Sequence, residues 1–183
     1  MSQATMPSSA DTTAVSPVTR LREEKLERLR KRMLSPMLMR LFMLAKIPLG
    51  LFAGMRVDVL EGDRCQTSLP YGWRTTNPFR SMYFAAQAMA AELSTGALAM
   101  LAVESAPESV AMLITGLESE FGKKADQRTT FTCEDGGILF AAVAETLRTG
   151  EPVTVRARTV GRMPDGTEVS RFVFTWSFKK RSR

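Results

Sequence analysis

Histidine is missing from all 183 residues. Its absence removes Ser-His-Asp and Cys-His catalysis and the commonest zinc ligand together. Cysteine is scarce: Cys65 and Cys133 fall in stretches that read as strands, too few for a disulfide framework, and are expected to be reduced thiols. There is no glycine-rich phosphate loop and no dinucleotide fingerprint. No apolar run reads as long enough to span a bilayer, and the polar first residues lack the basic start and apolar core of a secretory signal, so a cytoplasmic protein is expected. Asp58, Glu61 and Asp63 surround a turn in alternating strand positions and read as a solvated edge rather than metal ligands. Neither a metal nor another cofactor is expected.

The length suits one domain with an N-terminal extension. The net charge of +6 is concentrated at the ends. Residues 20–33 hold seven basic residues against three acids, the closing KKRSR is also basic, and the body between them is slightly acidic. No aromatics interleave with these basic residues and no nucleic-acid motif accompanies them, so a solvated helix face is the commoner explanation and no nucleic-acid partner is expected.

Residues 1–19, rich in Ser, Thr, Ala and Pro, read as a disordered tail. A charged helix over 20–33 follows, with Leu21, Leu26, Leu29 and Met33 as its apolar positions. Residues 34–52 are the most apolar stretch, broken by Pro36, Pro48 and Gly50. They predict a helix over 36–46 and a further turn, serving as a lid over one face of the domain in preference to lining an acyl pocket or lying on a membrane surface. Strands over 55–60 and 64–69 make a hairpin, 110–121 and 126–133 a second pair around residues 122–125, and 152–163 and 167–179 a third, closed by Pro164, Asp165 and Gly166. In the last strand Phe172, Phe174, Trp176 and Phe178 share one face. A short helix over 138–147 carries Leu139, Ala142, Val143 and Leu147.

The chain is organised around residues 76–100. Asn77 and Pro78 form a turn or cap, and a helix is expected to begin between residues 79 and 82. Met82, Met89, Leu93 and Met100 make one apolar stripe, while Ala85, Ala88, Glu92, Thr95, Gly96 and Ala99 lie on another side. Both faces read as buried, and a buried carboxylate is costly unless it is paired, protonated or functional. Glu92 therefore either salt-bridges an Arg, sits at a wetted dimer seam, or does chemistry. Asn77 is the second candidate polar group, with turn or N-cap duty as its alternative. Six strands with one buried helix predict an α+β fold, a curved antiparallel sheet wrapped around a long central helix, with an open sandwich as the rival.

An Asn, a short turn, a helix entrance and an acid fifteen positions after the Asn resemble the hotdog-fold acyl-CoA thioesterases of the phenylacetic-acid-pathway type. The resemblance covers about residues 37–180, and the flanking pattern looks more like an uncharacterised branch of that superfamily. Tyr83 falls where the family often has His, and Phe84 and Ala85 fall on its two glycines. The implied organisation is an N-terminal helical extension over 20–52, a hotdog domain over 53–180 and a basic tail over 181–183. The resemblance implies hydrolysis of an acyl-CoA or related thioester in a homodimer or dimer of dimers with shared sites. Asn77 would orient water or the carbonyl, the Phe84 amide would form the oxyanion site, and Glu92 of the partner subunit would act as base or nucleophile. Tyr83, Ala85 and Ala88 would contact substrate, and the basic ends would have coenzyme A phosphates as a further use. The alternative is a hotdog module that binds an acyl chain or a partner without turnover.

Overall fold

The computed structural model describes residues 17–181, with side chains from Glu23 onward. Of the tail expected over residues 1–19, residues 1–16 lie outside the described residues, as do the last two residues of the basic tail, while residues 17–19 are not tail but the start of the first helix. Three helices come first: α1 (Pro17–Leu34), α2 (Pro36–Lys46) and α3 (Pro48–Ala53). Proline opens both α2 and α3, where its missing N–H costs nothing and its ring ends the preceding helix. α3 stops at Gly54, whose φ of 81° is left-handed and whose N–H returns to the carbonyls of Gly50 and Leu51. α1 buries Leu29 and Met33, and α2 buries Met39 and Met43, in one apolar core continuous with the sheet.

Six strands form one antiparallel sheet in the order β1-β2-β4-β5-β6-β3. They are β1 (Arg56–Leu60), β2 (Cys65–Leu69), β3 (Val110–Phe121), β4 (Thr129–Cys133), β5 (Val153–Arg162) and β6 (Glu168–Lys180). The long helix α4 (Phe84–Ser105) crosses the inner face, and α5 (Gly136–Thr149) packs beside it over β5 and β6. The same-face set of β6 points inward: Phe172, Phe174, Trp176 and Phe178 are all buried. This is the curved sheet around a central helix, with the helical extension in front of it.

Three sequence expectations need correction. The first and third hairpins form, but β3 and β4 do not pair. β3 runs its whole length against β6, while β4 lies between β2 and β5. The connection between them is held at the entrance of α4, where Met82 N–H donates to the Ala125 carbonyl at 2.6 Å and Ala125 N–H to Ser81 Oγ at 3.1 Å. Secondly, α4 begins at Phe84, later than expected. A turn from Asn77 to Ser81, a bridge between Thr76 and Met82 and a left-handed Arg80 (φ 58°) occupy the residues that read as helix. Thirdly, α4 is long and apolar enough by length and composition to cross a membrane. Most of it is buried by the sheet and α5, as befits a core helix.

Candidate active site on the central helix

Four buried hydroxyls and one amide set the rotation of α4 on the sheet. Thr67 Oγ1 donates to the Ala90 carbonyl at 2.6 Å. Ser94 Oγ lies 2.7 Å from the Ala91 carbonyl and 2.8 Å from Thr159 Oγ1. Gln87 Nε2 donates to the Met82 carbonyl at 3.1 Å, and its Oε1 accepts from Ser170 Oγ at 2.8 Å. Buried polar groups tolerate little displacement without losing their partners, so these bonds fix which face of α4 looks outward.

That outward face is not fully covered. Ala85, Ala88, Met89, Glu92 and Met100 are half-exposed along one stripe, beside the sheet edge made by β3. Sequence periodicity made the Glu92 side look buried throughout; in the folded chain Thr95, Gly96 and Ala99 are buried but Ala85, Ala88 and Glu92 are half-exposed. The Glu92 carboxylate has no hydrogen bond or ion pair among the described residues, and burial pushes its pKa up from the ordinary carboxylate value of 4.5.

Gly96 supplies the room for that carboxylate. A Cβ there would lie 2.9 Å from Glu92 Oε1 and 3.4 Å from the ring of Trp176. Trp176 is buried, and its Nε1–H donates to Thr95 Oγ1 at 3.1 Å, so the indole stands as a fixed apolar wall next to the acid. Trp176, Thr95 and Gly96 are the site residues that sequence reading did not assign to Glu92. The visible signal was a glycine one turn after the acid on the same helix side. Gly96→Ala is expected to leave the fold intact, because alanine favours helix by about 1 kcal/mol and only the mobile end of a side chain must yield. It should nevertheless displace the Glu92 carboxylate and lower at least tenfold any turnover that depends on it, read as kcat beside an unchanged or raised Tm.

The entrance of α4 is aromatic. Tyr83 is its N-cap residue without a capping side-chain bond, and the N–H groups of Phe84, Ala85 and Ala86 have no acceptor among the described residues. Phe84 is exposed, its ring edge-on to Tyr83 at 4.8 Å and to Phe121 at 6.5 Å, and Phe121 in turn meets buried Phe172 at 5.6 Å. Asn77 is half-buried in the preceding turn. Its Oδ1 accepts from the N–H groups of Phe79 at 3.0 Å and Ser81 at 3.1 Å. The oxygen is thus engaged in an Asx turn, and the N-cap position belongs to Tyr83. Asn77→Ala should lower Tm by roughly 2–4 °C, the equivalent of about 1 kcal/mol in a chain of this size.

The structure therefore gathers Asn77, Tyr83, Phe84 and Ala85 near the helix entrance, and carries Ala88 and Glu92 further along the same helix. Eight residues separate Phe84 from Glu92, about 12 Å along the axis at 1.5 Å per residue. Among the described residues no group of three or more Cys, Asp and Glu side chains could hold a metal ion, and Asp58, Glu61 and Asp63 are exposed.

Comparison with known proteins places this architecture. A Pseudomonas aeruginosa protein described as of unknown function and a probable thioesterase superposes with a TM-score of 0.66 at 18% identity, covering 82% of this chain and 99% of that one. A thioesterase from Haemophilus influenzae gives 0.58 at 12% identity, with 83% and 95% covered. A mutant thioesterase from Pseudomonas aeruginosa gives 0.59 at 16% identity, with 78% and 94% covered. These likenesses establish the hotdog fold. No curated protein matches the sequence. One family model does, a domain of unknown function designated DUF4442, over residues 36–178. That span takes in α2 through α5 and reaches all six strands, and the chain belongs to the DUF4442 family.

Proposed function

We propose that the protein is a thioester hydrolase acting on an acyl-CoA or related acyl thioester, in the cytoplasm, as a homodimer. The observation that carries the reading is Glu92, an unpaired, half-buried acid on the one open stripe of a core helix. A thioester carbonyl is already activated, so polarisation by amide donors and a carboxylate base suffice without His or metal.

Within one chain the free amides at Phe84 and the Glu92 carboxylate are too far apart to act on one carbonyl. A two-fold pairing that sets two copies of α4 antiparallel along their open stripes would bring the partner subunit's Glu92 toward the amides of Phe84, Ala85 and Ala86. β3 supports that pairing. It is an edge strand of twelve residues with Leu113 and Leu117 exposed, a surface that isolated chains avoid presenting. In the resulting site the carbonyl oxygen would lie against the helix N-terminus, whose positive dipole end favours developing negative charge. Glu92 would take a proton from the attacking water, and the thiolate of the coenzyme would leave. Tyr83, Ala85 and Ala88 would border the acyl group, and Asn77 would shape the turn that presents the helix entrance.

The test is release of free thiol from a panel of short, long and aromatic acyl-CoA thioesters, alongside sedimentation of the protein. Turnover by a dimeric protein is the expected outcome and would name the acyl class. A folded dimer inert toward every thioester would overturn hydrolysis. It would favour the second reading, a hotdog module that binds without turnover. Two observations favour that alternative: the Asn77 oxygen is committed to its own turn, and the Phe84 ring stands at the helix entrance.

A further inference from the structure

At the β1 end of the sheet order, the chain leaves a groove of about 1200 Å³ between α2, α3 and β1, and Glu92 does not line it. α2 is apolar on both sides. Met39 and Met43 are buried, while Met37, Leu41 and Leu44, spaced four and three residues apart, are 68%, 58% and 61% exposed and line one wall of the groove. Phe52 of α3, with Met55 and Val57, forms the other wall. A helix in contact only with water and its own core would carry polar residues on that outer face.

The charge around this apolar groove is predominantly positive. Arg40, Arg56, Arg74 and Arg128 line it, with Asp58 as the lone acid. Arg128 donates to Ser68 Oγ at 3.2 Å, and among the described residues Arg40, Arg56 and Arg74 have no ion-pair partner. From Arg28 to Val57 the sequence has seven basic residues and no acid. A second copy docked here by two-fold symmetry would set this basic surface against itself. The complementary occupant joins an apolar chain to an anionic head.

We propose that this groove binds a single-chain anionic amphiphile, an acyl chain carrying a carboxylate or phosphate group. The chain lies along Met37, Leu41, Leu44 and Phe52, and the head meets the arginines, whose planar forks pair with either anion in bidentate fashion. Trp73, 79% exposed and edge-on to Phe52 at 5.7 Å, stands beside the groove and reports its filling. The second tryptophan, Trp176, is buried in the core and stays silent. The site is independent of the thioester reading.

The experiment titrates the full chain with dodecanoate, dodecyl phosphate and dodecanol below their aggregation limits, following heat and Trp73 emission. Both anions should bind and shift the emission to the blue, with dodecanol at least tenfold weaker. Shortening the acid by two methylenes should weaken binding by roughly tenfold, as burial of about 0.8 kcal/mol per methylene requires. Leu41→Glu, at an exposed position, should abolish binding without a change in Tm. The triple Arg40→Gln, Arg56→Gln, Arg74→Gln variant should erase the preference for anions. Flotation separates the sources of the ligand. Binding of dodecanoate without flotation marks a free single-chain ligand, as proposed, whereas rising with phosphatidylglycerol vesicles but not phosphatidylcholine ones would mark a two-chain bilayer lipid instead and overturn it. No binding of either anion, equal affinity for dodecanol, or full affinity in Leu41→Glu would overturn the proposal.

Discussion

If the protein hydrolyses thioesters as proposed, Glu92→Gln is expected to lower kcat/KM for the preferred one by roughly a hundred- to ten-thousand-fold, the usual contribution of a general base, while the protein stays folded. Glutamine keeps the size of the side chain and its place above Gly96, so loss of rate isolates the proton transfer. The wild-type rate should rise with pH through a midpoint above 4.5, because burial raises the Glu92 pKa and only the carboxylate can accept a proton. Stability should respond in the opposite sense. With the folded pKa above the unfolded one, the unfolded chain ionises first as pH rises, so Glu92 costs stability progressively from the ordinary carboxylate range up to its own raised pKa. The variant should therefore match wild type in Tm below about pH 4 and exceed it at neutral pH. The excess is roughly 2–4 °C for each 1 kcal/mol of relieved desolvation. A Gln variant that hydrolyses at the full rate would remove Glu92 from the mechanism.

The largest loss of stability is expected at a residue remote from that chemistry. A Cβ at Gly136 would lie 2.3 Å from the Gly62 carbonyl oxygen and 2.5 Å from Asp63 Cα, both backbone atoms that cannot swing away. Gly136 N–H also donates to the Asp63 carbonyl at 3.1 Å, and Asp135 Oδ2 accepts from Arg158 N–H at 2.7 Å. The first turn of α5 is thus pinned to the β1–β2 turn on one side and to β5 on the other. Gly136→Ala must push these apart, at the upper end of the about 1–3 kcal/mol typical of overpacking. At 2–4 °C per kcal/mol that is a fall in Tm on the order of 5–10 °C. The neighbouring Gly137 meets nothing within 4 Å. Gly137→Ala should leave Tm unchanged or raise it slightly through the unfolded chain's lost freedom. Equal effects at the two positions would show that close approach is not what Gly136 provides.

The elements that sequence reading located well are those specified by local pattern. The helix over 36–46, both ends of β3 and the inward aromatic face of β6 follow from proline placement and from alternation that neighbouring residues supply. The pairing of β3 was not legible in that way. Residues 122–125 look like a hairpin turn, but Gly122 N–H donates to the Val169 carbonyl, and Ala125 pairs with the Met82 amide and the Ser81 hydroxyl, some forty residues earlier. The start of α4 was misjudged for a related reason. Asn77 draws the following amides into a turn, and propensity in residues 79–82 cannot compete with those bonds. For the site, the acid and the glycine after it could be seen in the chain. The half-open seam could not, since it depends on where β3 ends up relative to α4.

Cys65 and Cys133 sit opposite one another on β2 and β4, both wholly buried and unbonded, with burial as the main cause raising both thiol pKa values. The thiolate is the form that attacks thiol reagents, so the native protein is expected to react with them slowly. Colour developed in a thiol-release assay would then come from the thiol of the added substrate and not from the protein. The same slowness makes alkylation a clock: label enters only when the centre of the sheet parts, and its rate counts those openings one molecule at a time.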